Sequence, residues 1–279
     1  IAQCLVGSEM CIRDRFAKER VIEREKARDG GAEENYTLRD MVECLRSNKY
    51  LLIFFAAPLI SSLLNIGATW GLYIARYCLG GEEIASFVSM AVIVPTLIGA
   101  AIAVQLCKKY DKFKIFYFSY MFALILGIVR YIAGYENMMV YVILNALGGF
   151  PLGIAAILQY QFTPDCYEYG QYKTGLKMRG VTFAAQTFFT KLNGAIATAV
   201  SVFALTLIGF KEGEGVIQAA GFADKLWTFS CLGSIIGGIG TLLILRLYKL
   251  NDHDVQLMSK CNNGEITREE AEAQMINRY

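Results

Sequence analysis

VTFAAQTFFTKLNGAIATAVSVFALTLIGF, residues 181–210, is an apolar run with Lys191 near its middle. About 20 apolar residues suffice to cross the hydrocarbon of a bilayer, so the run reads as a membrane helix. A charge that deep costs at least ~2.5–3.5 kcal/mol on insertion scales. At about 100° per residue, Thr182, Asn193, Gln186, Thr190, Ser201, Thr187, Thr198 and Lys191 fall on one half of the helix. Ala195, Phe188, Leu192, Ala185, Ile196 and Phe189 occupy the other half. The apolar half suits lipid or neighbouring helices. The polar half must face a bundle interior or water, and Lys191 needs a carboxylate or a polar cavity.

The rest of the chain has the same character. Of 279 residues, 55% are hydrophobic, and six runs qualify as spans: 50–78, 84–106, 115–133, 138–161, 181–208 and 225–247. The expected class is therefore an all-α membrane protein with six transmembrane helices. None of the other five runs offers a central carboxylate to Lys191. Lys and Arg total 27 against 25 Asp and Glu, which gives no footprint for nucleic acid. The eight cysteines form no C-x-x-C pair, so neither a zinc site nor a disulfide framework is expected. His253 is the single histidine and reads as solvated. The sequence shows no nucleophile–base pair, phosphate loop or metal-ligand cluster, and no enzyme activity or cofactor is expected.

Basic residues set the expected orientation. The segments 16–49, 107–114, 162–180 and the part after Leu245 hold twenty Lys and Arg; the alternate connections hold two. By the positive-inside rule both ends of the chain are cytoplasmic, in the cell membrane. Arg76 and Arg130 then lie near the outer ends of their helices, where they can snorkel to the interface or touch a substrate. Pro58, Pro95 and Pro151 are expected to kink their spans. Gly149/Gly153 and Gly233/Gly237 have the small-xxx-small spacing that lets helices approach closely.

The expected divisions are 1–15, 16–49, 50–249 and 250–279. CLVGSEMCIRDR (4–15) can be back-translated as a transposase sequencing adaptor, so 1–15 reads as an artefact and the chain as a fragment lacking an upstream part. Segment 16–49 is charged and reads as a cytoplasmic linker with short amphipathic helices. Segment 250–279 reads as a cytoplasmic tail carrying a solvated helix. Segment 162–180, FTPDCYEYGQYKTGLKMRG, reads as a connection whose Asp165 and Glu168 could pair with Lys173, Lys177 and Arg179.

PDCYEYGQYKTGLK followed by QTFFTK resembles the glycoside–pentoside–hexuronide:cation symporters, the major facilitator group that includes the melibiose permease. Asp165, Glu168, Tyr169, Gly170, Lys173, Gly175, Lys177, Gln186, Thr187 and Lys191 match the family pattern, and the likeness covers 16–279. Glu168 stands where the family more often has Asp, Lys177 where it usually has Arg, and Arg179 where it often has Glu. Ala156 occupies the place of a sugar-contacting tryptophan, one turn before Gln159. The resemblance implies the C-terminal half of a twelve-helix fold, with cargo bound between two halves. It implies that Gln186, Thr187 and Lys191 face substrate and that Asp165, Glu168, Tyr169, Lys173, Lys177 and Arg179 form a cytoplasmic gate. It also implies a coupling Na⁺ or H⁺ held by carboxylates of the missing N-terminal half, with no metal site in this half. The expected function is cation-coupled sugar or glycoside symport by alternating access. Two alternatives stay open: a carrier of lysophospholipid or another solute on the same fold, and a six-helix membrane scaffold that transports nothing.

Overall fold

The computed structural model describes residues 38–64, 69–177, 179–211, 213 and 218–279; the adaptor-like stretch and most of the expected linker lie outside the described residues. Among them the chain is all-α, with ten helices. These are α1 (Leu38–Ser47), α2 (Lys49–Leu64), α3 (Gly71–Cys78), α4 (Glu83–Leu106), α5 (Lys112–Ala133), α6 (Met138–Thr174), α7 (Arg179–Leu207), α8 (Phe222–Leu245), α9 (Asp252–Asn262) and α10 (Arg268–Gln274). Five of them, α4 to α8, are long and apolar enough to cross a membrane.

Two helix boundaries depart from the sequence reading. The first expected span, 50–78, is divided into α2 and α3 rather than being one helix. The fourth, expected to end at 161, runs 37 residues to Thr174. Hydropathy falls after Gln161, while the helix itself continues. At about 1.5 Å per residue, α6 greatly exceeds the ~30 Å of the hydrocarbon core. It ends only where Gly175 adopts φ 74°, the left-handed conformation that glycine accepts without a Cβ penalty. The segment read as a connection is thus the last turns of α6 plus a few residues. Pro58, Pro95, Pro151 and Pro164 all lie inside helices.

Side-chain caps start some of the helices. Asp111 accepts the amides of Phe113 and Lys114 at the head of α5, and Asn137 those of Met139 and Val140 at the head of α6. Long-range contacts fix alternating helix directions and give the bundle two ends. At one end, Asp111 accepts the amide of Asp252 and Lys112 bridges to Asp165. At the other, Trp70 donates to the Ser201 carbonyl and Tyr135 to Asp224. These are called the tail end and the α3 end.

The helices meet most closely where α4 crosses α6. A Cβ on Gly99 would lie 2.1 Å from the Phe150 carbonyl oxygen, and one on Gly153 would lie 2.0 Å from that of Thr96. Gly149 has the same character, with 2.6 Å to the Val92 oxygen. The 149/153 pair therefore performs the close approach that its spacing suggested. Two aromatic-rich cores close the ends: Tyr50, Phe54, Phe162, Tyr169 and Tyr248 at the tail end, and Trp70, Tyr141, Phe222 and Trp227 at the α3 end.

Residues 250–279 are not simply solvated. Asp254 is fully buried. Its carboxylate accepts from the Ile276 amide at 2.8 Å, the Asn277 amide at 3.0 Å, the Asn251 side chain at 2.8 Å and the Tyr279 hydroxyl at 2.8 Å. Burial pushes this carboxyl's pKa up, but the four hydrogen bonds outweigh it and hold the value below the ordinary 3.8. A depressed folded-state pKa stabilises docking above the ordinary value, and that contribution is lost as pH falls through the folded one. The protection of amides 276 and 277, taken relative to their intrinsic exchange rate at each pH, is expected to be high at pH 6 and to fall once the pH drops below the ordinary carboxylate value. Asp254→Asn is expected to show low protection in both ranges. Equal protection in the variant and the parent would contradict this anchor.

Candidate functional site

Helix α7 carries the lysine that the sequence singled out. Its polar half is divided between two environments. Thr182, Gln186 and Ser201 are buried within the chain and Asn193 is half-buried, accepting from the Ser62 hydroxyl. Thr187, Thr190, Thr198 and Lys191 are exposed. Phe189, on the apolar side, stacks on Phe55 with ring centroids 4.5 Å apart. The three predicted substrate residues therefore do not share one environment. Gln186 points inward, with its amide nitrogen unpartnered among the described residues, while Thr187 and Lys191 face outward. Lys191 makes no hydrogen bond or ion pair among the described residues.

The exposed hydroxyls are conditioned by their own helix. Thr187 donates to the Phe183 carbonyl at 3.1 Å, Thr190 to Gln186 at 2.8 Å and Thr198 to Gly194 at 3.0 Å. Each hydroxyl has its proton engaged and its lone pairs left to accept. Lys191 beside them has three donors and no acceptor. The row can receive hydrogen bonds from a polyol and donate to an anion or hydroxyl oxygen. Ala156 and Gln159 lie on α6, exposed and half-buried respectively.

The predicted gate residues gather at the tail end, with partners other than those expected. Asp165 pairs with Lys112 at 2.7 Å, and Lys112 also reaches Asp252 at 3.2 Å. Glu168 accepts from Asn262 of α9 at 2.8 Å. The expected pairing of these two acids with Lys173, Lys177 and Arg179 does not occur. The reason is the helical continuation of α6: Lys173 sits one turn beyond Tyr169 and donates to its hydroxyl at 3.2 Å. Lys177 is exposed, and Arg179 is exposed with its guanidinium 5.9 Å from the Phe183 ring centre.

Tyr169 is the centre of the cluster. It is fully buried, with Tyr50 edge-on at 4.7 Å, Tyr279 at 5.9 Å and Lys49 at 5.9 Å. Gly170 leaves room for the Asn48 amide, which donates to the Cys166 carbonyl at 2.6 Å; a Cβ there would come within 2.8 Å of it. Tyr172 donates to Glu272 at 3.0 Å. The tail thus contacts the motif segment at Glu168, Tyr169 and Tyr172. Sequence reasoning missed Lys112, Asp252, Asn262 and Tyr279. Lys112 counted only toward orientation, and its acids lie 53 and 140 residues away. The aromatic Tyr279 in a polar segment was the one available signal.

Arg76 and Arg130 also differ from each other. Arg76 is exposed and paired with Glu82 at 3.1 Å. Arg130, expected to snorkel, instead turns inward to Asn145 at 3.3 Å and the Trp227 ring at 5.9 Å. Among the described residues no group of three or more His, Cys, Asp or Glu could hold a metal ion.

These features define a multi-pass membrane bundle with a polar helix face left open and a charged, tail-clamped end. The chain matches the family described as MFS/sugar transport protein over residues 15–252 and belongs to that family. It is 24% identical to the uncharacterized symporter YjmB of Bacillus subtilis over 240 residues, 85% of this chain and 50% of that protein. It is 22% identical to a putative glycoside/cation symporter, YagG of Escherichia coli, over 78% of this chain and 48% of that protein. A putative sulfoquinovose importer of Escherichia coli is also 22% identical, over 85% and 51%. The chain spans about half the length of these relatives. The family and its named relatives are transport proteins, not enzymes.

Proposed function

We propose that this chain is the C-terminal half of a cation-coupled symporter for sugars, glycosides or sulfonated sugars. The observation that carries the reading is the open polar face of α7. A bilayer does not tolerate a lysine and three threonine hydroxyls on an uncovered helix face, so a second polar surface must complete it. In a twelve-helix protein that surface is the other half, and the space between them holds cargo near the midplane.

Both ends of the chain are then cytoplasmic, and the tail end is the cytoplasmic gate. The coupling ion, Na⁺ or H⁺, neutralises carboxylates of the other half. Lys191 stands opposite them as the fixed positive charge. Ion binding changes the affinity for cargo, and the halves rock around the filled site.

The test is uptake by membrane vesicles carrying the complete transporter under an imposed Na⁺ or H⁺ gradient. The solutes are a panel of sugars, glycosides, sulfoquinovose and lysophosphatidylcholine. Gradient-driven uptake of a polyol is the expected result. Uptake confined to lysolipid, or no uptake that depends on either gradient, would contradict the reading.

A further inference from the structure

Between α3, α4, α5, α6 and α8, with Ser61 of α2, lies a cleft of about 900 Å³ on the α3 side, and none of its lining residues is on α7. Its size is that of a small-molecule site. Small and apolar side chains form most of the wall. The polar members include Ser119, Arg130, Tyr141, Asn145 and Ser234.

Arg130 is the unusual member. Its Nε is buried and unpartnered among the described residues. The groups beside it are neutral: the Asn145 oxygen, the Trp227 ring face and the Cys231 thiol. Two nearby acids at this end are already engaged, Glu82 with Arg76 and Asp224 with the Tyr135 hydroxyl. A guanidinium cannot discard its proton, so a charge in a bundle must be met by an anion or remain costly. On α8, behind the cleft wall, Trp227, whose ring faces Arg130, and Ser230 are 4% and 0% exposed, and neither lines the cleft itself. Their indole nitrogen and hydroxyl are also unpartnered among the described residues. An indole nitrogen can only donate. Arg130 Nε and Trp227 Nε1 are therefore donors that meet no acceptor among the described residues.

We propose that this cleft binds a singly charged oxyanion head group, with Arg130 as its counter-charge and the apolar wall holding the body of the ligand. The inference does not depend on the transport reading. The head group can belong to an anionic lipid or to a soluble sulfonate or carboxylate.

The experiment uses the protein in phosphatidylcholine nanodiscs. One arm titrates ethanesulfonate by calorimetry; the other adds phosphatidylglycerol and counts bound lipid by native mass spectrometry. Binding in either arm supports the site and identifies the source. Arg130→Gln is expected to weaken it at least about tenfold, the scale of a hydrogen bond to a charged group. Gly148→Leu fills the cleft from a position where an added Cβ meets nothing within 4 Å, and it leaves Arg130 in place. It is expected to weaken binding similarly, while Arg76→Gln changes nothing. Three results would overturn the proposal: no binding in either arm, unchanged binding in both cleft variants, or an equal loss in Arg76→Gln.

Discussion

Gly153→Ala is expected to be among the most damaging single changes in this chain. The substitution adds one methyl group and ordinarily favours a helix by about 1 kcal/mol. Here that methyl would lie 2.0 Å from the Thr96 carbonyl oxygen and 2.9 Å from the Ala100 nitrogen. Both are backbone atoms of α4, so no rotamer change relieves the clash and the two helices must separate. Overpacking of a tight contact costs about 1–3 kcal/mol and sometimes more. A backbone-to-backbone clash belongs at the upper end, so the net effect is a loss of at least about 2 kcal/mol. Gly148→Ala, five residues earlier on the same helix, adds its methyl to open space and is expected to be neutral or stabilising by up to about 1 kcal/mol. Thermal unfolding in mild detergent measures both. Equal behaviour would mean that α4 and α6 are not packed as described.

Lys112→Ala is expected to have the other large effect. Lys112 Nζ touches both carboxylate oxygens of Asp165, at 2.9 and 2.7 Å, and reaches Asp252. Its removal leaves Asp165, 8% exposed, facing Asp252 without a cation. Breaking a buried pair by deleting one member costs about 3–5 kcal/mol, because an uncompensated charge stays behind. The side chains here are 20% and 11% exposed, so about 3 kcal/mol is expected. The loss should appear as a lower unfolding temperature and as faster exchange in α9, which Lys112 ties to α6. The double change Lys112→Ala, Asp165→Ala should recover part of the loss. If the double variant is additive, the two residues do not interact.

Much of this was readable from the residues, and the failures share one physical origin. Periodicity and hydropathy found the long apolar helices α4 to α8, because that property is local. They also found the two-sided wheel of α7 and the close-packing glycines at 149 and 153. They misplaced the end of α6, because a drop in hydropathy does not mark the end of a helix. They paired Asp165 with lysines close in sequence, whereas the cation that neutralises it comes from the start of α5. They left the tail in solvent because it is polar. Yet a polar tail docks when one buried carboxylate, Asp254, gathers the amides and hydroxyl of the last residues. None of these long-range pairings leaves a periodic mark. The open face of α7 lies between the two cases. The wheel showed a polar half, and the fold then showed that only one edge of it is covered within the chain.

The central claim is that this uncovered edge, with Lys191 on it, faces cargo and the ion-binding carboxylates of a second half. The most direct measurement is ion-dependent uptake by the complete transporter carrying Lys191→Gln, beside the parent and Lys191→Arg. The account predicts that loss of the charge lowers uptake at least about tenfold and alters its dependence on the coupling ion, with Lys191→Arg recovering part of both. Unchanged cargo affinity and unchanged ion dependence in Lys191→Gln would contradict it.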